Sequence, residues 1–282
     1  MIITTLVTLT ALSAIPEREK NGLPHLRSES VMVRWADTGE ELLAKNPDEV
    51  RPIASVTKLV SALVLAAEAP TLLTATRALT LDELDKDRLK WSRSSLRIGK
   101  SYPASQLFDA AMAASDNRAI CALARHSGLE RATFVAKMNQ AAQALGMSRS
   151  RFVDPAGLDP GNVSTARDLL ALVSAAAQHE VVRKAGLVSP VELVDAEGRT
   201  LRLGSTNRLA RSGRWTVLAG KTGYTIEAGR ALVIRVELEG RPLDMVYLGA
   251  REMQSVFGDA GRVKRWILAE KLRPGTPASA SR

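Results

Sequence analysis

One run, Ile53-Ala-Ser-Val-Thr-Lys58 continued by Leu59-Val-Ser-Ala-Leu-Val-Leu-Ala-Ala-Glu-Ala69, constrains this chain more than any other. From Val56 it is apolar, rich in helix formers and free of Gly and Pro until Pro70, which predicts a buried helix. Ser55 falls where an N-cap or first turn would lie. Lys58 follows three residues later, so both side chains leave one face of the helix, one turn apart. Taken alone, Ser55 reads as a cap and Lys58 as a side chain that snorkels to solvent. Two further stretches change that reading. Ser115-Asp-Asn117 follows an amphipathic segment, and Lys221-Thr-Gly223 ends a strand-like run, Trp215-Thr-Val-Leu-Ala-Gly220.

Ser-x-x-Lys, Ser-Asp-Asn and Lys-Thr-Gly, in that order, form the signature of penicillin-binding proteins and class A β-lactamases. On these motifs the chain resembles the low-molecular-mass penicillin-binding proteins, D-alanyl-D-alanine peptidases, and most closely their endopeptidase branch. The likeness extends to Ser92-Arg-Ser-Ser-Leu-Arg-Ile-Gly99, Phe152-Val-Asp-Pro-Ala-Gly-Leu158, Ser164-Thr-Ala-Arg-Asp168 and Thr206-Asn-Arg-Leu209. It implies the fold of penicillin-recognising serine hydrolases, an α+β architecture with an antiparallel sheet flanked by helices, a helical subdomain, and a cleft between them. It also implies roles. Ser55 would be the acyl-ester nucleophile, Lys58 its proton acceptor, and Ser115 a relay to the leaving amine. Asn117 would hold the substrate amide, while Lys221 and Thr222 bind a carboxylate. The backbone amides of Ser55 and Tyr224 would form an oxyanion hole, and Arg251 is a further candidate for the carboxylate. The implied partners are peptidoglycan stem peptides, with β-lactams as covalent inhibitors and no cofactor or metal.

The residues themselves test this chemistry. A serine hydroxyl needs a neighbour to take its proton, and His25, His126 and His179 lie in no serine-protease motif. No His-Glu-x-x-His occurs, which argues against a zinc peptidase. A lysine can replace histidine, but its ordinary pKa is ~10.4, so an uncharged Lys58 at neutral pH needs roughly 4–5 kcal/mol of environmental bias. Burial on an apolar helix and repulsion from a second cation, Lys221, supply such bias. Class A β-lactamases use a glutamate to activate the deacylating water, and no glutamate lies between Glu130 and Glu180 here. Penicillin is therefore expected to acylate Ser55 and leave slowly. The competing readings are a D-alanyl-D-alanine carboxypeptidase, a β-lactamase, and a non-catalytic β-lactam-sensing module.

Length and charge bound the rest. The 282 residues, 45% hydrophobic and 24% charged, suit a globular protein with ample core. A net charge of +9 favours an anionic partner, while 4% aromatic residues and the absence of a nucleic-acid module argue against nucleic acid. Residues 1–14 carry no charge and read as the apolar part of a secretory signal, too short to span a bilayer, which places the protein outside the cytoplasm. Residues 15–29 read as a leader, 30–272 as the catalytic domain and 273–282 as a disordered tail. The lone cysteine, Cys121, reads as a small core residue.

Strands are expected over 30–35, 41–44, 191–194, 200–203, 215–220, 231–238 and 243–248, the last two joined by a turn over 239–242. Helices are expected over 106–114, capped by Ser105, then 117–125, 130–145, 165–178 and 257–271, with a loop over 152–163. Strands at both ends of a helical middle predict a sheet with helices packed on it and a helical subdomain.

Overall fold

The computed structural model describes residues 22–85 and 94–271. The expected signal segment 1–14, the leader up to residue 21, Ser92 and Arg93 of the second family stretch, and the tail 273–282 lie outside the described residues.

Strands β1 (Ser30–Trp35), β2 (Glu41–Lys45), β3 (Thr216–Thr225), β4 (Gly229–Leu238) and β5 (Arg241–Ala250) form an antiparallel sheet in the order β2-β1-β5-β4-β3. Strand periodicity sorts the side chains: Val31, Val33 and Trp35 bury on one face while Met32 buries on the other. Two differences from the sequence expectation matter. The β4–β5 connection is a two-residue turn, Glu239-Gly240, with φ of +54° and +74°, the pair of left-handed residues that matches hairpin twist. Pro242 therefore sits inside β5 opposite Glu237, near the strand's start where a missing N–H is tolerated, and its carbonyl accepts from Ala36 N at 2.8 Å. Lys221-Thr-Gly223 also does not end its strand. Gly223 pairs with Ala231, and the ladder runs on to Thr225.

The longer helices are α1 (Lys58–Glu68), α2 (Ala104–Met112), α3 (Asn117–His126), α4 (Arg131–Ala144), α5 (Ala166–Gln178) and α6 (Ser255–Lys271). Helix α6 covers one sheet face, burying Val256, Ala260, Val263 and Ile267 among Val31, Val33, Leu232, Ile234 and Tyr247. Helix α5 covers the other, against Met32, Val233, Val246 and Leu248, and α1 to α4 build outward from it. Helix α1 is apolar around most of its circumference, and Leu59, Val60, Val64 and Leu65 are buried, each worth ~1.5–3 kcal/mol. Thr165 caps α5 by accepting from Asp168 N at 3.0 Å. Asp168 in turn accepts from Arg149 N and Ser150 Oγ, which ties the preceding turn to the helix. Helix α2 starts earlier than expected: Pro103 occupies the cap position and Ser105 lies inside the first turn. Cys121 is partly buried against the core.

Candidate active site

Three segments converge on the space between sheet and helices. The first is the tight turn Ala54–Thr57 that leads into α1. Ser55 lies in this turn, but its side chain caps nothing. Lys58, the first residue of α1, is fully buried, and its Nζ lies 2.8 Å from Ser55 Oγ. It also donates to Asn117 Oδ1 at 2.5 Å and to the carbonyl of Ala156 at 2.7 Å.

The second segment is the turn before α3. Asp116 caps that helix by accepting from Ala119 N at 3.0 Å and also accepts from Ser94 Oγ at 2.8 Å. With Asp116 turned away in this manner, Ser115 and Asn117 face the cleft. Ser115 takes φ of +63°, an uncommon left-handed position for a serine, and its Oγ lies 2.8 Å from Lys221 Nζ. The third segment is β3. Lys221 is 1% exposed and gives a second hydrogen bond to the carbonyl of Thr222 at 3.1 Å. Thr222 Oγ1 lies 2.6 Å from Thr206 Oγ1, which adds a hydroxyl to the cleft.

Two glycines hold the turn that carries Ser55 from either side. A Cβ on Gly223 would stand 2.8 Å from Ile53 O and 3.2 Å from Ser55 N, so β3 packs directly on the turn. A Cβ on Gly157, whose φ is +81°, would stand 1.9 Å from Ala54 O. Ala54 between them has φ of +48°, a strained conformation held by its surroundings. The loop that delivers Gly157 is organised by the buried carboxylate of Asp154. It accepts from the backbone N–H of Ala156 and Gly157 (2.7 Å each) and of Asp159 (2.8 Å), and from Asn162 Nδ2 at 2.5 Å. The same bonds fix the Ala156 carbonyl against Lys58.

This geometry defines what Lys58 can do. A neutral amine has two N–H groups and one lone pair. Asn117 Oδ1 and Ala156 O are pure acceptors, so in a neutral Lys58 they would take both N–H groups and leave the lone pair to the Ser55 hydroxyl. The amine whose pKa falls is Lys221: burial, and then the charge of Lys58, push it well below the ordinary lysine value.

The site opens into a cavity of about 450 Å³ whose lining includes Ser55, Ser115, Asn117, Thr206, Thr222 and Tyr224. All the side chains expected from the motifs thus meet in one cleft. Arg251 does not join them. It is 89% exposed and points to Glu29 at 3.5 Å, because the chain turns away from the cleft after β5. The cation that lines the cavity is Arg230, at the start of β4. His25 is exposed, His126 and His179 are partly buried, and none lines the cavity. Among the described residues no cluster of His, Cys, Asp and Glu is assembled for a metal, and no helix is long and apolar enough to cross a membrane.

Sequence reasoning missed the Ala156 carbonyl, the Asp154 hub and Arg230. The first is a backbone atom and carries no sequence signal. Asp154 and Arg230 are common residue types whose importance lies in what they touch.

Residues 17–252 match the peptidase family S11, described as D-alanyl-D-alanine carboxypeptidase. The D-alanyl-D-alanine endopeptidase of Pseudomonas aeruginosa is 37% identical over 269 residues, covering 93% of this chain and 85% of that protein. That of Escherichia coli is 33% identical over 259 residues, covering 91% and 82%. The crystal structure of the Streptomyces K15 DD-transpeptidase superposes with a TM-score of 0.77 at 26% identity, covering 87% of this chain and 98% of that one.

Proposed function

The chain belongs to the D-alanyl-D-alanine carboxypeptidase family of serine peptidases, and from that premise we propose that it is an endopeptidase cutting D-alanyl cross-links between peptidoglycan stem peptides. Ser55 Oγ attacks the D-alanyl carbonyl and Lys58 Nζ takes its proton. The backbone N–H groups of Ser55 and Tyr224 receive the developing oxyanion, and losing one such donor costs ~3–4 kcal/mol. Ser115, hydrogen-bonded to Lys221, relays the proton that Lys58 has taken to the leaving amine, which leaves Lys58 neutral again; the carboxylate next to that amine rests on Lys221, Thr222 and Thr206. Water then opens the acyl-enzyme, with Lys58 again accepting the proton. The substrate lies in the cell wall, so the enzyme works outside the cytoplasm.

The observation that carries this reading is the placement of Lys58 Nζ, 2.8 Å from Ser55 Oγ with two pure acceptors on its other sides. The loop 152–162 offers no glutamate to activate water, so penicillin is expected to remain on Ser55 as a long-lived ester. Intact-protein mass spectrometry checks this: one penicilloyl adduct on the native chain and none on Ser55→Ala. Rapid turnover without an adduct would mean a β-lactamase. Chromatography of digested muropeptides separates the two peptidase activities: monomers from cross-linked dimers mark the endopeptidase, free D-alanine the carboxypeptidase.

A further inference from the structure

The cavity that contains Ser55 continues past the reacting groups to an end lined by Tyr224, Ile226, Glu227, Arg230, Val256 and Phe257. This end differs in character from the catalytic one. The Arg230 guanidinium stacks 4.5 Å above the Tyr224 ring, which holds it in place. Its Nε is buried and has no hydrogen-bond partner. Glu227 lines the same space but is exposed and is not ion-paired with Arg230. An arginine and a glutamate that line one cavity without being paired to each other offer one charge of each sign to what enters it.

Direction along β3 says which part of a substrate reaches this end. Gly223 abuts Ser55, and Lys221 and Thr222, the carboxylate-binding pair, precede it along the strand. Tyr224 and the turn to Arg230 lie on the other side, so this end faces the acyl portion of the substrate and not its leaving group.

Resting on the peptidase reading above, we propose that the far end of the cavity is a subsite for an amino-acid zwitterion at the tip of an alkyl side chain. Arg230 takes the carboxylate, Glu227 the ammonium, and Ile226, Val256 and Phe257 the methylenes. A plain anion would use Arg230 and leave Glu227 unfavourably close; a plain ammonium would do the reverse. In stem peptides built on diaminopimelate, the residue before the acyl D-alanine ends in such a group, the free centre bearing both amine and carboxylate.

Penicillins place their side chain on the same acyl side, so two of them with one nucleus isolate the subsite. The probes are benzylpenicillin and the penicillin with a δ-(D-α-aminoadipyl) side chain, whose tip is a zwitterion at nearly the reach of diaminopimelate. The measurement is the rate of Ser55 acylation, followed by mass spectrometry. The aminoadipyl compound should react at least about tenfold faster with the native protein. Arg230→Gln should slow it by about 10–100-fold, the loss of a charge-assisted hydrogen bond, and slow benzylpenicillin by a factor at least about tenfold smaller. Glu227→Gln, at an exposed position, should slow the aminoadipyl compound by about threefold. Equal native rates for the two penicillins, or equal losses on both in Arg230→Gln, overturn the subsite while leaving the peptidase reading intact. No adduct from either compound overturns both.

Discussion

Two groups of cationic side chains, one partly and one fully buried, lie on the α5 side of the sheet. On the central strands, Arg235 makes a two-pronged pair with Asp244 at 2.6 and 2.8 Å, and Arg34 approaches the same carboxylate at 3.6 Å. Both arginines also reach α5, at Ser174 Oγ and the carbonyl of Leu170. On β3, the more deeply buried Lys221 has only neutral oxygens as hydrogen-bond partners among the described residues, Ser115 Oγ and the carbonyl of Thr222, and it faces Lys58 as a second amine. The first group has its charge compensated and joins sheet to helix. The second is left uncompensated, which costs stability and makes Lys221 easy to deprotonate. One protein thus uses the same residue class for cohesion in one place and for reactivity in another, and the presence of a carboxylate separates the two.

That contrast can be broken by substitution. The largest effect is expected from Asp244→Ala, which strands two partly buried guanidinium groups and should lower unfolding stability by about 2–4 kcal/mol in urea titrations. Penicillin acylation of the protein that remains folded should be unchanged. Lys221→Met should do the reverse. Acylation should fall on the order of 10²–10³-fold, the usual loss for one preorganised electrostatic contact, while stability stays equal or rises because a buried polar amine is gone. If Lys221→Met unfolds as readily as Asp244→Ala, the two groups are alike and the contrast fails.

The smallest effect is in the pH dependence of stability. The Lys221 pKa is depressed in the folded state, so between that value and the ordinary ~10.4 the unfolded chain holds a proton that the folded chain lacks. Unfolding stability should therefore rise with pH through that window, by at most about 1.4 kcal/mol per pH unit. Urea midpoints near neutrality and at about pH 9, compared between the native chain and Lys221→Met, measure the slope that Lys221 contributes. An equal slope in both assigns it elsewhere.

Much of this site was legible because its motifs are local. Ser55 and Lys58 stand three residues apart, so spacing predicts that this pair faces one way, while Ser115 and Asn117 were legible only as a motif. The alternation of apolar residues in β1 and β4 likewise marked the sheet. The misses have physical reasons. Gly223 reads as the end of a strand because glycine weakens strands, yet here its lack of a side chain lets β3 lie against Ile53 and Ser55. Ala54 and Ser115 hold left-handed backbone that their residue types do not advertise; only the packing around them imposes it. Arg251 and Arg230 both neighbour the sheet's working end in sequence, and composition cannot say that one turns to Glu29 and the other to the cavity.

The position of β3 at the end of the sheet order carries a last implication. A border strand has partners on one flank only, so the peptide groups of its other flank are available to any extended chain laid beside them. A stem peptide docked there would be gripped by its main chain, a feature common to every stem whatever its side chains. Discrimination between cell walls of different chemistry then falls to whatever lies beyond the border, where individual side-chain tips are met.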